Sequence, residues 1–518
     1  MTNIARSSGI TRVSGSARPG IVALALAICV AGCSSDGGDR LAREREPAHR
    51  LAQQCVSVAT ETGRFLTVES DHGYALVGAE PGSAERFQLK PSGLGTFLLY
   101  DRDRNFLAAG ETGVVRLAAA DDRAEWAIFD LAGRGADRFT LVTTQDDRRL
   151  VVRDQALVLV PRAEPVRASD AGFLLEEQPA GECTAFPEAD LDAEVSPGFY
   201  AARNPGDPVV GFADLHAHLA FPKALGAVAL AGRTFDRFGI EHALADCSPL
   251  HGPNGILDLL GAEAGAGGGH ATAGYPDFPA WPTRMSFTHM QAYYRWIERA
   301  YLGGLRLVVT HVTGNRTYCQ LLGLIHPDLI EGDCSAASEV ERQTHYVYEI
   351  QDYVDAQSGG PGTGWFRVVT SAAQAREVIA SNKLAVVLGV EYGELFECRE
   401  SNAGCTPQYV DTELEKLYVS GVRSVFPIHR FDNAFGGTRI DGGDGGAWMN
   451  LTSKVSTGDI DPWSTWSRPA SSCCGPPAGT SGTSPSVPTE SEEPAACAAF
   501  RPSSTKPFPR CRRPSATS

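Results

Sequence analysis

The chain has 518 residues, a net charge of −16 and a 43% hydrophobic fraction. That length and apolar content suit two or three globular domains, and the acidic balance argues against nucleic acid as a partner.

Residues 1–33 read as an export signal. Arg6, Arg12 and Arg18 precede an apolar run, residues 20–31, that is too short to span a bilayer as a mature helix. The run ends in Val30-Ala31-Gly32-Cys33, which resembles a bacterial lipobox. The resemblance implies lipidation of Cys33, a membrane contact through that lipid, and a place in the cell envelope at the outer membrane or cell surface. Residues 34–51 are polar and charged and read as a tether. Thirteen cysteines in an exported chain suggest disulfides. Cys55 and Cys183 bracket the first domain, while Cys319 with Cys334 and Cys398 with Cys405 could close loops; sequence leaves the connectivity open.

Residues 52–184 form a series of short strands separated by Gly, Asp or Arg turns. Phe65–Val68, Phe97–Tyr100, Phe106-Leu107, Trp126–Phe129, Phe139–Val142 and Leu150–Val152 predict an all-β sandwich or barrel. Glu85–Leu89 and Glu125–Ile128 each precede a turn, a strand and a second short strand. This loose period of roughly 40 residues, three times over, resembles the β-trefoil of fascin-like domains. Its aromatic and Leu positions read as core. A glycan-binding module and a spacer are both open as its role.

Residues 185–208 are rich in Pro, Asp and Ala and read as a linker. An apolar strand then ends in Asp214, His216 and His218. Residues two apart on a strand point the same way, so both imidazoles leave on one side, close enough to hold one cation, and imidazole suits first-row metals. Helix and strand patterns alternate from there: a helix at Met290–Ala300, a strand at Leu305–Thr310, a helix at Val340–Val354, a strand at Phe366–Val369, a helix from Ser371 to Ile379, a strand at Leu384–Val390, a helix at Leu414–Val419 and a strand at Val422–Ile428. Near-continuous apolar strands alternating with helices imply a parallel sheet buried on both faces. Most of these strands end on a residue able to bind metal or move protons, at His216 and His218, His311, Glu391 and His429. In a (β/α)8 barrel the strand C-termini share one rim, where such residues converge.

Residues 385–391 and 417–429, followed by Asn433, resemble the membrane dipeptidase family of the amidohydrolase superfamily, over roughly residues 209–445. The resemblance implies a metal-dependent hydrolase of a peptide-like or other amide bond, with one or two divalent metal ions, zinc in that family. His216 and His218 would bind the first ion, Glu391 would bridge and serve catalysis, and His429 would bind the second. The chain has His-x-His in its first strand where dipeptidases usually have His-x-Asp. His311 and Arg423 are candidate substrate contacts.

Residues 209–458 thus read as a TIM-like (β/α)8 barrel that is incomplete, with about five strands by residue 430. From 459 to 518 the Pro- and Ser-rich composition cannot bury a core, which suggests truncation or a shifted reading frame. The alternative function is a surface lipoprotein with a glycan-binding trefoil and a catalytically inactive barrel fragment.

Overall fold

The computed structural model describes residues 41–437, apart from 71–72, 79–80, 133–136, 194–203, 259–260, 262–269, 278–287, 400–403 and 431. The export signal with Cys33 and the tail after 458 lie outside the described residues. No helix among the described residues is long and apolar enough to cross a membrane.

Strand β1 (Glu44–Pro47) is followed by twelve more: β2 (Cys55–Thr60), β3 (Phe65–Ser70), β4 (Gly73–Val77), β5 (Phe87–Gly93), β6 (Thr96–Tyr100), β7 (Phe106–Ala109), β8 (Val114–Leu117), β9 (Glu125–Leu131), β10 (Arg138–Thr143), β11 (Arg148–Arg153), β12 (Ala156–Pro161) and β13 (Phe173–Glu177). Antiparallel pairing runs β2–β5–β6–β9–β10–β13 and returns to β2, so six strands close a barrel without an edge. Hairpins β3–β4, β7–β8 and β11–β12 leave it once per repeat. This pairing is a β-trefoil.

The reason lies in strand alternation. Val56 and Val58, Phe97 and Leu99, and Phe139 and Leu141 occupy equivalent inward positions in the first strand of each repeat. Phe87 and Leu89, Trp126 and Ile128, and Phe173 and Leu175 do so in the last, and all join one buried cluster. Leu66, Leu107 and Leu150 bring one hairpin residue each to the same core. The indole of Trp126 donates to the Leu107 carbonyl at 2.9 Å, so its polar edge is satisfied inside that core. A disulfide joins Cys55 to Cys183 and ties the first barrel strand to the end of the module; Cys319–Cys334 and Cys398–Cys405 are also bonded.

The second part is α/β. Its parallel sheet contains β14 (Phe212–Ala217), β15 (Leu305–Gly314), β16 (Phe366–Val369), β17 (Leu384–Tyr392) and β18 (Val422–Phe426). The longer helices are α1 (Tyr294–Leu302), α2 (Arg316–Ile325), α3 (Ala336–Gln357), α4 (Ala372–Ala380) and α5 (Pro407–Val419). Side-chain caps start several of them: Ser335 accepts from Ser338 N–H, Ser371 from Gln374 N–H and Thr406 from Tyr409 N–H.

A complete (β/α)8 barrel is not formed by the described residues. The sheet order is β14-β15-β17, and β16 and β18 share the far edge of β17, β16 along residues 384–387 and β18 along 388–391. The short strand β16 therefore does not separate β15 from β17, as consecutive barrel order would require. All pairs are parallel, so the strand C-termini still face one side.

The trefoil meets the α/β part along α3. Lys90 is 2% exposed and donates to the Tyr353 hydroxyl at 3.0 Å and to Gln357 Oε1. Gln357 donates back to the Pro91 carbonyl at 2.9 Å. Phe186 packs on Tyr100 and Phe106, and Glu188 accepts from Tyr293 and Tyr294, so this stretch bridges both parts.

Burial pulls the Lys90 ammonium down from its ordinary 10.5 to about 8, against the opposing pull of Glu188 and with a smaller contribution from Arg295. The unfolded chain then holds more protons than the folded one between about 8 and 10.5, so stability rises with pH across that window. Relative to Lys90→Met, which lacks this titration, the wild type should gain ~1.4 kcal/mol per pH unit there. Urea denaturation of both proteins on either side of the window checks this; a difference that stays constant with pH refutes it.

Candidate metal centre

Glu391 sits near the end of the apolar strand β17 and is 2% exposed. Three imidazoles approach its carboxylate. His216 Nε2 lies 3.0 Å from Oε2, His218 Nε2 lies 3.2 Å from Oε1, and His429 Nε2 lies 3.3 Å from Oε1. The donor atoms of His216, His218 and Glu391 all fall within 4.8 Å of one another. The side chain of His216 is 54% exposed, so the acid forms the floor and the imidazoles the rim.

Local contacts position His216, His218 and His311. The Asp214 carboxylate accepts from the His216 backbone N–H at 3.0 Å within β14. His218 Nδ1 lies 2.9 Å from the His311 carbonyl, which directs Nε2 to Glu391. His311 lies within β15, opposite Gly389 in β17. Its ring stacks on His216 with centroids 4.6 Å apart, and its Nε2 is 3.3 Å from Ser424 Oγ.

The electrostatics follow from burial and from this crowding. Burial alone would raise the Glu391 carboxyl, but the hydrogen bond from His218 and the nearby His429, His218 and His216 rings outweigh it and hold it at about 2. Burial pushes His429 down to about 4, more strongly than Glu391 pulls it up. Burial also lowers His311, helped by His216. His218 moves the other way: burial opposes its charge, yet Glu391 and the His311 carbonyl together raise it. An ionised carboxylate beside a neutral His429 is a donor set of the kind that hard and borderline cations take.

The structure therefore brings together His216, His218, Glu391 and His429, with His311 beside them. It does not bring Arg423. Strand alternation sends Arg423 away from Ser424 and its contact with His311. The guanidinium donates to the carbonyls of Thr370 (2.8 Å), Tyr418 and Val422 (2.7 Å each) and covers the Tyr418 ring. Its role is to fasten β18 to its surroundings, which corrects the expectation of a substrate contact. Ser424 and Gly389 were not singled out from the sequence. Ser424 is one residue past Arg423 in an already marked strand, and Gly389 is a glycine inside a strand, a sign of close approach.

A Cβ at Gly389 would meet His311 Cδ2 at 2.5 Å and Nε2 at 2.8 Å. Gly389→Ala should therefore displace the His311 ring and cost ~1–3 kcal/mol. Combined with His311→Ala, the cost should fall well below the sum of the two single changes. Thermal or denaturant unfolding of the four proteins of that cycle measures it, and strict additivity would show that the ring does not depend on the missing side chain.

No family model matches the chain, and no curated protein matches it. Solved structures match part of it. The designed threefold-symmetric protein ThreeFoil is 17% identical over 24% of this chain and 99% of its own, with a TM-score of 0.21. A protein described as BEL beta-trefoil is 13% identical over 24% of this chain and 94% of its own, at 0.22. A Polyporus squamosus lectin bound to a human-type influenza-binding epitope is 10% identical over 24% of this chain and 49% of its own, at 0.20. The trefoil assignment rests on the strand pairing itself.

Proposed function

We propose that the α/β part is a metal-dependent hydrolase of the amidohydrolase type, akin to membrane dipeptidases, cleaving a peptide-like or other amide bond. The observation that carries this reading is the convergence of His216, His218 and His429 on the buried Glu391 carboxylate at the C-terminal side of parallel strands, where α/β sheets place their ligands.

The residues present fit a divalent cation. Glu391 Oε2 is buried without a hydrogen-bond partner, because His216 lies within ion-pair distance but out of hydrogen-bond alignment. His311 Nδ1 is likewise unsatisfied. His216 and His218 would hold one ion, Glu391 would join it, and His429 would serve a second ion on the same carboxylate. When bound there, zinc supplies Lewis acidity and a water acidified toward neutrality.

The chain's own residues do the rest. Glu391, ionised and fixed from several sides, keeps the donors in register and holds the negative charge that a cation would meet. The His218 hydrogen bond to the His311 carbonyl fixes which ring nitrogen faces the site. The exposed His216 edge leaves an open approach for a small amide substrate. In the same proposal the trefoil offers a glycan contact, and a lipid on Cys33 holds the protein in the cell envelope.

Assaying purified full-length protein against a panel of dipeptides and N-acyl amides tests the reading. Hydrolysis should stop on chelation and return with zinc. Glu391→Gln and His216→Ala should each lose at least the ~100-fold that even outer partners of metal ligands command. Hydrolysis indifferent to chelator and to both substitutions would sink the proposal.

A further inference from the structure

A second cluster of metal-ligating side chains lies outside this site. Between β14 and α1 the chain makes a long excursion in which the described helices run three or four residues each. Such a stretch has few backbone ladders to hold it. Four donors meet inside it: Cys247, His251, His270 and His289, all within 4.8 Å of one another. Cys247, His251 and His289 are buried, and the His270 side chain is 27% exposed.

The local structure explains the convergence. One helical turn, Ser248–His251, separates Cys247 from His251, and residues four apart share a helix face. The His270 N–H donates to the Asn254 carbonyl at 2.9 Å, and Cys247 N–H to Thr272 O at 3.0 Å, which lays the second segment beside the first. Ala231 N–H bonds Thr288 O, and Met290 N–H bonds Ala231 O, each at 2.8 Å, which fixes His289 from a third direction. His270 lies over Gly255, where a Cβ would sit 2.2 Å from its Nδ1 and where φ is +72°. Glycine is needed there on both counts.

The distances describe a coordination polyhedron. Cys247 Sγ is 3.2 Å from His270 Nε2 and 3.4 Å from His289 Nε2, and His251 Nδ1 is 3.3 Å from His270 Nε2. Zinc–nitrogen bonds of ~2.0–2.1 Å and a zinc–sulfur bond of ~2.3 Å give tetrahedral edges of roughly 3.3–3.6 Å. The three imidazole planes stand 83° to 89° apart, so their nitrogens converge on a point instead of forming a stacked chain. Beyond the ring, His270 Nδ1 faces Asp258 Oδ2 at 3.9 Å, and Asp258 accepts from the Thr288 hydroxyl at 2.8 Å and from Gly261 N–H at 2.9 Å. At that separation the carboxylate is a charge neighbour of His270 and not a hydrogen-bonded partner.

We infer that Cys247, His251, His270 and His289 form a structural zinc site that cross-links the excursion between β14 and α1. Four protein donors close the coordination sphere and leave no position for substrate. Binding releases the Cys247 thiol proton, so the site takes up metal as a thiolate and three neutral imidazoles. The site shares no residue with the Glu391 centre and stands whether or not that centre is hydrolytic.

Cobalt(II) substitution of the full-length protein separates the two centres, because only this one offers sulfur. The metal-exchanged wild type should show the near-ultraviolet thiolate-to-cobalt charge-transfer band. The band should persist in the His216→Ala/Glu391→Gln double variant, which should also retain one zinc ion per chain by elemental analysis, and it should vanish in Cys247→Ser. Cobalt bound without the thiolate band overturns the inference, as does a double variant that holds no zinc. If Cys247→Ser does not fold, the Cys247→Asp and His251→Cys variants decide: the first should keep cobalt without the band and the second should intensify it, and a band unchanged in both would place the thiolate elsewhere.

Discussion

An ionised carboxylate at the centre of an apolar sheet is the constraint on which the α/β part turns. Every residue of β17 but Val387 is buried, and Glu391 is among them. Burying such a charge without compensation costs several kcal/mol. The imidazoles of His216 and His218, from the end of β14, and of His429, from beyond β18, meet that cost. Their positions follow from pairing. The parallel register of β15 on β17 sets His311 against Gly389 and Thr313 against Glu391, and β14 follows β15 in parallel. Shift either register by one residue and every side chain changes face, leaving Glu391 buried alone.

The trefoil bears on the same sheet through one helix. The buried face of α3 carries Val347, Ile350 and Val354 into the α/β core, while Tyr353 and Gln357 reach Lys90 of the trefoil. Arg237 adds a second link, donating to Asp122 at 2.6 Å and to Glu125 at 3.2 Å. The polar character of these contacts contrasts with the aromatic core inside the barrel. A desolvated ammonium on a hydroxyl and an amide specifies how the helix lies more than it adds to stability.

Much of this was legible in the sequence, and what was not has a physical reason. The trefoil strands could be read because inward residues recur in pairs, Phe97 with Leu99 and Phe139 with Leu141, at a steady interval. The helices that follow Ser335, Ser371 and Thr406 carry caps, yet α5 begins at Pro407, well before the Leu414 expected from apolar spacing, because Tyr409 and Val410 are the only large apolar residues of its first two turns. His216, Glu391 and His429 could be marked because each ends an apolar strand. The strand order could not, since the four residues of β16 give it little length with which to compete for the β15 edge. Arg423 misled because charge type was read without its face. The excursion after β14 has no periodicity, so Cys247 and His251 passed unnoticed, although a cysteine with a histidine four places on is a signal in itself.

Among the described residues the two strands that lead into the imidazoles, β14 and β18, each have a single neighbour in the sheet, β15 and β17 respectively. Each displays apolar side chains, Phe212 and Leu215 on one and Val425 and Phe426 on the other. Two strands, β15 and β17, lie between them, and Glu391 is on β17. Groups that bind the edge imidazoles to this acid therefore act across the sheet, joining strands that share no hydrogen bond of their own. Cations held by His216 and by His429 on the shared Glu391 carboxylate would do this more firmly than the contacts of 3.0 Å and 3.3 Å do unaided, so the chemistry proposed for the centre and the integrity of the sheet draw on the same three side chains.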